Sequence, residues 1–487
     1  MKKLIFLSAT TLVCAVSFGA IRAVTPTAWN GDPNCWQMKR HNEKMAVVTN
    51  GDAKVVFIGD SITHFWESNG KAQLKKYFSE GDFKMLDLGT SADRTEHVLW
   101  RLTEGKELDG YEAKIVFLMI GTNNSGHFKF AEEPPIDTIL GIREILKVIC
   151  EKQPNASVVL SPIFPRGADG NDAIRRRNEI VNREIMRFAD GQKILWCDFN
   201  DQFLTVDGRL PREVFPDLLH PGSYGYEIWA SAVLPYVQDA LAGLPLPPNR
   251  WPPFVREENV RMDGPLALHP TTRIRSEGYG KFDWWLDRAL AKRNQIAESK
   301  GEIDLVFFGD SITHNWENQG AASLEELRKT YSVLDIGYSG DRTEHLIWRG
   351  QNGELDGYKA KCIMLLIGTN NTWHRQDKAA DIAAGIERIL GIIAGKQPQA
   401  KVLLLPIFPF GKEATHPYRA QNAKANELIR KLADGQRVIW VDFTDKFLDE
   451  SGNSAKWMPD GCHPNAAGYR EIWLPAVLPY FKEIVGR

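Results

Sequence analysis

VVFIGDSITHFW at positions 55–66 returns as LVFFGDSITHNW at positions 305–316. In each copy an unbroken apolar run leads into Gly-Asp-Ser. A run without polar alternation reads as a strand buried on both faces, which is the habit of parallel sheets. The Gly-Asp-Ser that follows predicts a turn into a helix, with Ser61 or Ser311 at its start.

Working outward, the rest of the neighbourhood repeats as well. LDLGTSADRTEHVLW (86–100) recurs as LDIGYSGDRTEHLIW (334–348), and LMIGTNN (118–124) as LLIGTNN (365–371). PIFPRG (162–167) recurs as PIFPFG (406–411), and DLLHP (217–221) as DGCHP (460–464). The offset drifts from 250 at Ser61/Ser311 to 247 at Asn123/Asn370 and 243 at His220/His463. Constant order with small insertions means one domain written twice, not a solenoid. Each unit exceeds 200 residues, enough to bury a core of its own. The Pro-rich stretch LPLPPNRWPPF (244–254) marks the junction. Trp36 stands 25 residues before Ser61 and Trp285 stands 26 before Ser311, so the second unit is expected to begin near Gly264. The expected divisions are a leader at 1–23, a first domain at 24–242, a linker at 243–263 and a second domain at 264–487.

Within the first unit, strands are expected at 54–58, 83–88, 114–120, 156–161 and 193–198. Helical stretches lie between them, notably 136–151 and 173–188, and 225–241 follows the last motif. Apolar strands alternating with helices predict a doubly wound α/β sandwich with a five-stranded parallel sheet in each unit. Ligands in such folds bind beyond the C-terminal strand ends, where every repeated motif falls.

Composition excludes several classes. The chain has 487 residues, 43% hydrophobic and 25% charged, as in an ordinary globular protein. Lys+Arg total 60 against 62 Asp+Glu, so there is no basic excess to hold a nucleic acid. Lys2 and Lys3 precede an apolar run at 4–20 and small residues, the pattern of a secretory leader cleaved between Ala20 and Ala23. That run is shorter than a membrane span, and no other segment suits one, so a secreted or periplasmic protein without an integral span is expected. Outside the leader, Cys35, Cys150, Cys197, Cys362 and Cys462 are scattered and odd in number. They suggest buried thiols, with neither a disulfide framework nor a zinc site.

The chemistry-bearing residues recur in both units. Ser61 and Ser311, each at a turn into a helix, suit a nucleophile, although an N-cap serine gives the same local pattern. Asp217 with His220, and Asp460 with His463, stand three apart. The carboxylate can then orient the imidazole and stabilise its cation, although a surface His beside a capping Asp has the same spacing. Asn123 and Asn370 can donate to an oxyanion, or occupy a turn. The N–H of Gly340 is a further candidate donor, with Ala92 as its counterpart, while Gly89 and Gly337 read as turn residues. Arg94 and Arg342 read as partners of neighbouring carboxylates. His127, His374 and Trp373 follow the Asn loop, either lining a pocket or at plain surface. Trp66 and Trp316 read as packing against the helix that follows. No metal ligand cluster and no cofactor motif accompany these residues.

The four blocks Gly-Asp-Ser, Gly after the second strand, Gly-x-Asn and Asp-x-x-His resemble those of the SGNH or GDSL hydrolases. The fuller runs 93–111 and 217–229 resemble the branch related to the catalytic subunits of platelet-activating-factor acetylhydrolase. Bacterial members of that branch often look like secreted carbohydrate acetylesterases. The resemblance implies a flavodoxin-like three-layer α/β/α fold in each unit and a metal-free serine esterase. It implies Ser61 and Ser311 as nucleophiles, His220 and His463 as bases, and Asp217 and Asp460 as orienting acids. Oxyanion donation falls to the Ser N–H, to Asn123 and Asn370, and to the N–H of Gly340. Two departures stand out: Ala92 replaces the expected Gly in unit one, and Phe410 replaces the Arg kept as Arg166. The function expected is removal of acetyl or another short acyl group from a small-molecule or glycan ester. A phospholipid deacetylase or lysophospholipase is the nearest alternative, and a non-catalytic carbohydrate-binding protein is one of a different class.

Overall fold

The computed structural model describes residues 21–29, 34–78, 84–127, 131–248, 264–274 and 284–486. Positions 1–20 of the expected leader (1–23) and most of the expected linker, 249–263, lie outside the described residues. Two separate all-parallel sheets carry the fold. The first contains β1 (Ala53–Gly59), β2 (Lys84–Gly89), β3 (Ile115–Met119), β4 (Ser157–Leu160) and β5 (Ile194–Trp196), in the order β2-β1-β3-β4-β5. The second contains β6 (Glu302–Gly309), β7 (Val333–Gly337), β8 (Lys359–Leu366), β9 (Lys401–Leu404) and β10 (Val438–Trp440), in the order β7-β6-β8-β9-β10. Both are doubly wound sheets, and the chain reverses direction across each sheet between its first and third strands.

The strands read as continuous apolar runs because both faces are covered. Val56, Ile58, Val116 and Leu118 point into one apolar cluster, while Val55, Phe57, Ile115 and Phe117 point into another. On the second face each unit keeps a core of its own, built on the last helix: Ser223–Ala242 in unit one, Leu474–Val485 in unit two. Trp66 and Trp316 are fully buried there, against Tyr226 and Trp229 in one unit and Tyr469 and Trp473 in the other. Trp66 also packs edge-on against Phe78 of helix Lys71–Phe78, the helix that follows it, and the contact with the late helix is additional.

On the first face the apolar cluster runs on from one unit into the other. Helix Pro135–Lys152 of unit one meets helix Trp284–Glu298 of unit two. Between them Arg293 grips Asp137 with two bonds, Nε to Oδ1 at 2.7 Å and a terminal nitrogen to Oδ2 at 2.9 Å, both side chains buried. A bidentate geometry of this kind offsets the desolvation of both ions. The units are therefore joined by a buried interface as well as by the chain.

The repeat extends upstream in a register that corrects the pairing of Trp36 with Trp285. Trp36 stacks on His64 and Trp284 stacks on His314, so Trp284 is its counterpart. Further upstream, Thr95 Oγ1 donates to the Ala23 carbonyl and Thr343 Oγ1 to that of Ala267, both at 2.8 Å. All five described cysteines are free thiols, four of them buried.

Candidate active site

Ser61 opens the short helix Ser61–His64 directly after β1, and Asp60 caps that helix by accepting from the Ile62 N–H at 2.9 Å. This anchors the serine at the C-terminal end of β1, between β2 and β3. Asp217 forms a tight turn in which Oδ1 accepts from the N–H groups of Leu219 and His220, at 2.9 and 2.7 Å. The same turn sets Oδ2 2.7 Å from His220 Nδ1, and His220 Nε2 lies 2.9 Å from Ser61 Oγ. Burial pushes the Asp217 carboxyl up, but the imidazole and the two N–H groups outweigh it and hold it below its ordinary value. An ionised Asp217 keeps the proton on Nδ1, leaving Nε2 to accept from the serine hydroxyl.

Unit two reproduces this chain of contacts. His463 Nε2 is 2.8 Å from Ser311 Oγ, and His463 Nδ1 is 2.6 Å from Asp460 Oδ2. Asp460 is held below its ordinary value in the same way, with burial opposed by bonds from His463 and Cys462. In each unit a serine more than 150 positions from its histidine is thus brought to it, and the six residues form two Ser-His-Asp sets.

The oxyanion candidates come from strands flanking the serine. Asn123, after β3, donates from Nδ2 to the Asp93 carbonyl at 2.9 Å, and Asn370 donates equally to the Asp341 carbonyl. One amide hydrogen ties down the loop after β2, and the second is available to a substrate. In that loop Gly340 has φ +77° and Ala92 has φ +68°. The N–H is held in the same left-handed conformation in both units, strained in unit one by the alanine Cβ. A second such contrast lies in the histidine turn, where Leu218 has φ +63° and Gly461 +83°. Gly89 and Gly337 are not turn residues. They end β2 and β7, and a Cβ there would come within 2.2–2.3 Å of the His64 or His314 nitrogen, so they let the nucleophile helix sit against the neighbouring strand.

Several supporting residues carry no obvious sequence signal beyond their repetition. His64 Nδ1 lies 2.8 Å from Ser91 Oγ, and His314 Nδ1 lies 2.9 Å from Ser339 Oγ, each next to the left-handed residue. Asp93, pushed up to about 6 by burial, accepts from Trp29 Nε1 at 2.6 Å and from Arg101 Nε at 2.8 Å. Asp341 accepts from Trp285 and Arg349 in the same way. These bonds fix the loop from behind.

Burial, reinforced by the Arg40 cation, lowers the His64 pKa to about 4, and burial with Arg288 does the same to His314. An unfolded chain takes up these protons near the ordinary value of about 6.5. Stability is therefore unaffected above that pH and falls as the pH drops from there to about 4. In His64→Gln/His314→Gln, which keeps an amide toward each serine, the drop in Tm between pH 7.5 and 5 should be smaller than in the wild type. Buried carboxyls such as Asp60, raised to about 7, act in the opposite sense but are common to both proteins. Equal drops in the two proteins would contradict this assignment.

Arg94 is fully buried, paired with Glu96 at 3.0 Å and with Glu133, as expected of a structural partner. Arg342 pairs with Glu344 at 2.6 Å but also lies 3.5 Å from His374 Nδ1. His374 and Trp373 are exposed beside each other, and His127 is partly buried. Arg166 reaches Thr122 Oγ1 and the Gly126 carbonyl at 3.3 and 3.2 Å. Among the described residues no His, Cys, Asp or Glu cluster has the form of a metal site, and no helix is long and apolar enough to cross a membrane.

A doubly wound α/β unit with Ser-His-Asp in contact at its strand ends is the architecture of a serine hydrolase, present here twice. The profile of the GDSL-like Lipase/Acylhydrolase family matches residues 57–228 and again 307–471. The chain belongs to that family, and it is a carboxylic ester hydrolase. It is 35% identical over 196 residues to platelet-activating factor acetylhydrolase IB subunit alpha2 of Homo sapiens, covering 39% of this chain and 82% of the relative. Subunit alpha1 of Bos taurus is 33% identical over 180 residues, covering 36% and 75%. Among solved structures, a GDSL-like lipase from Bacteroides thetaiotaomicron matches with TM-score 0.34 and 20% identity, over 42% of this chain and 98% of the other. An acetyl xylan esterase from Geobacillus stearothermophilus matches with TM-score 0.31 and 19% identity, over 37% and 94%.

Proposed function

We propose that the protein is an exported esterase with two active sites, which removes acetyl or other short acyl groups from acetylated carbohydrate through an acyl-enzyme. The observation that carries this reading is the unbroken contact from Asp through His to Ser in both units. His220 Nε2 takes the hydroxyl proton as Ser61 Oγ bonds to the ester carbonyl carbon. The carbonyl oxygen becomes an oxyanion, met by the Ser61 N–H, the Ala92 N–H and Asn123 Nδ2. The imidazolium, stabilised by Asp217, returns its proton to the departing alkoxide and leaves an acyl-serine. Water then attacks with His220 again as base, and the acid departs with the serine restored. Ser311, His463, Asp460, Gly340 and Asn370 take the same parts in unit two.

A fluorophosphonate probe should label both serines, and Ser61→Ala and Ser311→Ala should each remove one labelled site. A chain that takes no label is a binding protein and ends this reading. The names of the curated relatives favour a second substrate, an acetyl-phospholipid. A panel of acetylated xylan, acetylated sialic acid and acetyl-phospholipid separates the two.

Export rests on the leader pattern. Ile21 and Ala23 are buried against the body of the protein, so cleavage after Ala20 leaves a docked segment intact. N-terminal sequencing of the mature protein should begin within 21–24, and a mature chain beginning at Met1 overturns the export proposal.

A further inference from the structure

The two sites differ on one wall, and the difference is coherent. Helix Ala173–Ile185 is capped by Asp172, which accepts from the Ile174 N–H, and helix Pro417–Ile429 is capped by His416, which accepts from the Tyr418 N–H. Asn182 and Asn426 each accept from the N–H of the Ile in Pro-Ile-Phe-Pro, at 2.7 and 2.8 Å. The register is therefore fixed: Arg166, Asp172 and Ile174 of unit one correspond to Phe410, His416 and Tyr418 of unit two. Counting from the paired Asn123 and Asn370, Gly126 corresponds to Trp373. Four positions that carry no aromatic ring in unit one all carry an aromatic or imidazole ring in unit two.

These rings form a continuous wall. Trp373 lies 5.7 Å from Phe410, which lies 5.3 Å from His416 and 5.6 Å from Tyr418, and His416 and Tyr418 are 5.2 Å apart. Its position is tied to the reacting groups at both ends. Trp373 sits three residues beyond Asn370, on a widened helical turn at Asn371–Arg375, a form that recurs at functional sites. Phe410 precedes Gly411, whose N–H donates at 2.7 Å to the Gly461 carbonyl inside the Asp460–His463 turn. The wall therefore joins the segment that follows Asn370 to the segment bonded to the Asp460–His463 turn.

Trp373 is 50% exposed although ring contacts brace it. A large aromatic face held rigid and left half in water suits a ligand that is apolar on one face and polar at its rim. A pyranose ring has that character: its C–H face covers the indole, and its hydroxyls meet water and polar groups at the edge. Two such groups border the wall, the Tyr418 hydroxyl, which accepts from Gln376 at 3.3 Å and keeps its own hydrogen, and the Arg342 guanidinium beside His374. A planar aromatic acyl group would need a closed dry slot, which a half-exposed tryptophan does not supply.

We infer that the second site binds the sugar ring of an O-acetylated glycan against the Trp373–Phe410 wall, and that unit one, with Arg166 in place of Phe410, selects differently. This rests on the esterase reading above. The test uses the full chain carrying Ser61→Ala, so that only Ser311 reports, with peracetylated xylobiose and p-nitrophenyl acetate as substrates. Trp373→Ala and Phe410→Arg should each lower the ratio of kcat/KM for xylobiose over p-nitrophenyl acetate more than tenfold, chiefly by raising KM, with Tm confirming a folded protein. An unchanged ratio, equal losses on both substrates, or failure of the Ser61→Ala chain to hydrolyse peracetylated xylobiose overturns the proposal. A larger loss on a p-nitrophenyl hydroxycinnamate ester than on xylobiose also overturns it, by assigning the wall to an aromatic acyl group. Hydrolysis of p-nitrophenyl acetate by Ser61→Ala/Ser311→Ala at more than about a hundredth of wild-type kcat would instead sink the underlying esterase reading.

Discussion

Hydrolysis of p-nitrophenyl acetate by Ser61→Ala/Ser311→Ala should fall by a factor on the order of 10⁴ to 10⁶ in kcat, the usual consequence of losing a triad serine. Each serine hydroxyl lies within 3 Å of the imidazole nitrogen that would take its proton. The Ser91 and Ser339 hydroxyls are engaged instead by His64 and His314, next to the oxyanion loop. Proton transfer, nucleophilic attack and oxyanion binding are all assigned to side chains and N–H groups, so wild-type activity should survive incubation with EDTA. The measurement is steady-state hydrolysis of the purified double variant beside the wild type. A double variant that keeps more than a hundredth of wild-type kcat would place the nucleophile elsewhere.

Unit two should account for most of the activity. At two positions where the catalytic loops of both units turn left-handed, unit two carries glycine, Gly340 and Gly461, while unit one holds Ala92 and Leu218 at φ +68° and +63°. A Cβ in that region costs roughly 1–2 kcal/mol per residue. Surrounding bonds keep the strained geometry in place: Asn123 and Asp93 fix the first loop, and the Gly167 N–H donates to the Leu218 carbonyl at 2.9 Å in the second. The N–H of Ala92 is therefore aimed like that of Gly340, but unit one holds its aim against strain, and every escape from that conformation misplaces a donor or the histidine. With about 1.4 kcal/mol per tenfold, two such sites bound the deficit of unit one at roughly 30- to 1000-fold. Ser311→Ala should abolish most turnover of a substrate both sites accept, and Ser61→Ala should barely change it. In the Ser311→Ala background, Ala92→Gly should recover up to about thirtyfold. If Ser61→Ala is the more damaging of the two single changes, strain does not rank the sites.

The strands of unit one were legible because a parallel strand covered on both faces must be apolar at every position. The expected 54–58 and 114–120 lie within a residue of β1 and β3. The triads were legible for a different reason. An Asp three residues before a His reaches its ring through one local turn, and duplication showed which Ser, Asn and Asp-x-x-His belong together. Tryptophan positions were less legible. Trp285 sits one residue from Trp284, and spacing alone could not tell which side chain stacks on His314 and which donates to Asp341.

By itself, then, the sequence determined the number of units and their sheet class, which follow from short-range periodicity and repetition, whereas the members of each Ser-His-Asp set were picked out by repetition together with the resemblance to the SGNH hydrolases. Tertiary structure alone decided the sign of φ at Ala92 and Leu218, the buried Arg293–Asp137 clasp between units, and the ring wall around Trp373. A backbone torsion at a non-glycine residue is set by the bonds that hold its loop. Likewise an ion pair separated by 156 positions and a wall drawn from two strand-end loops exist only once the sheets have closed.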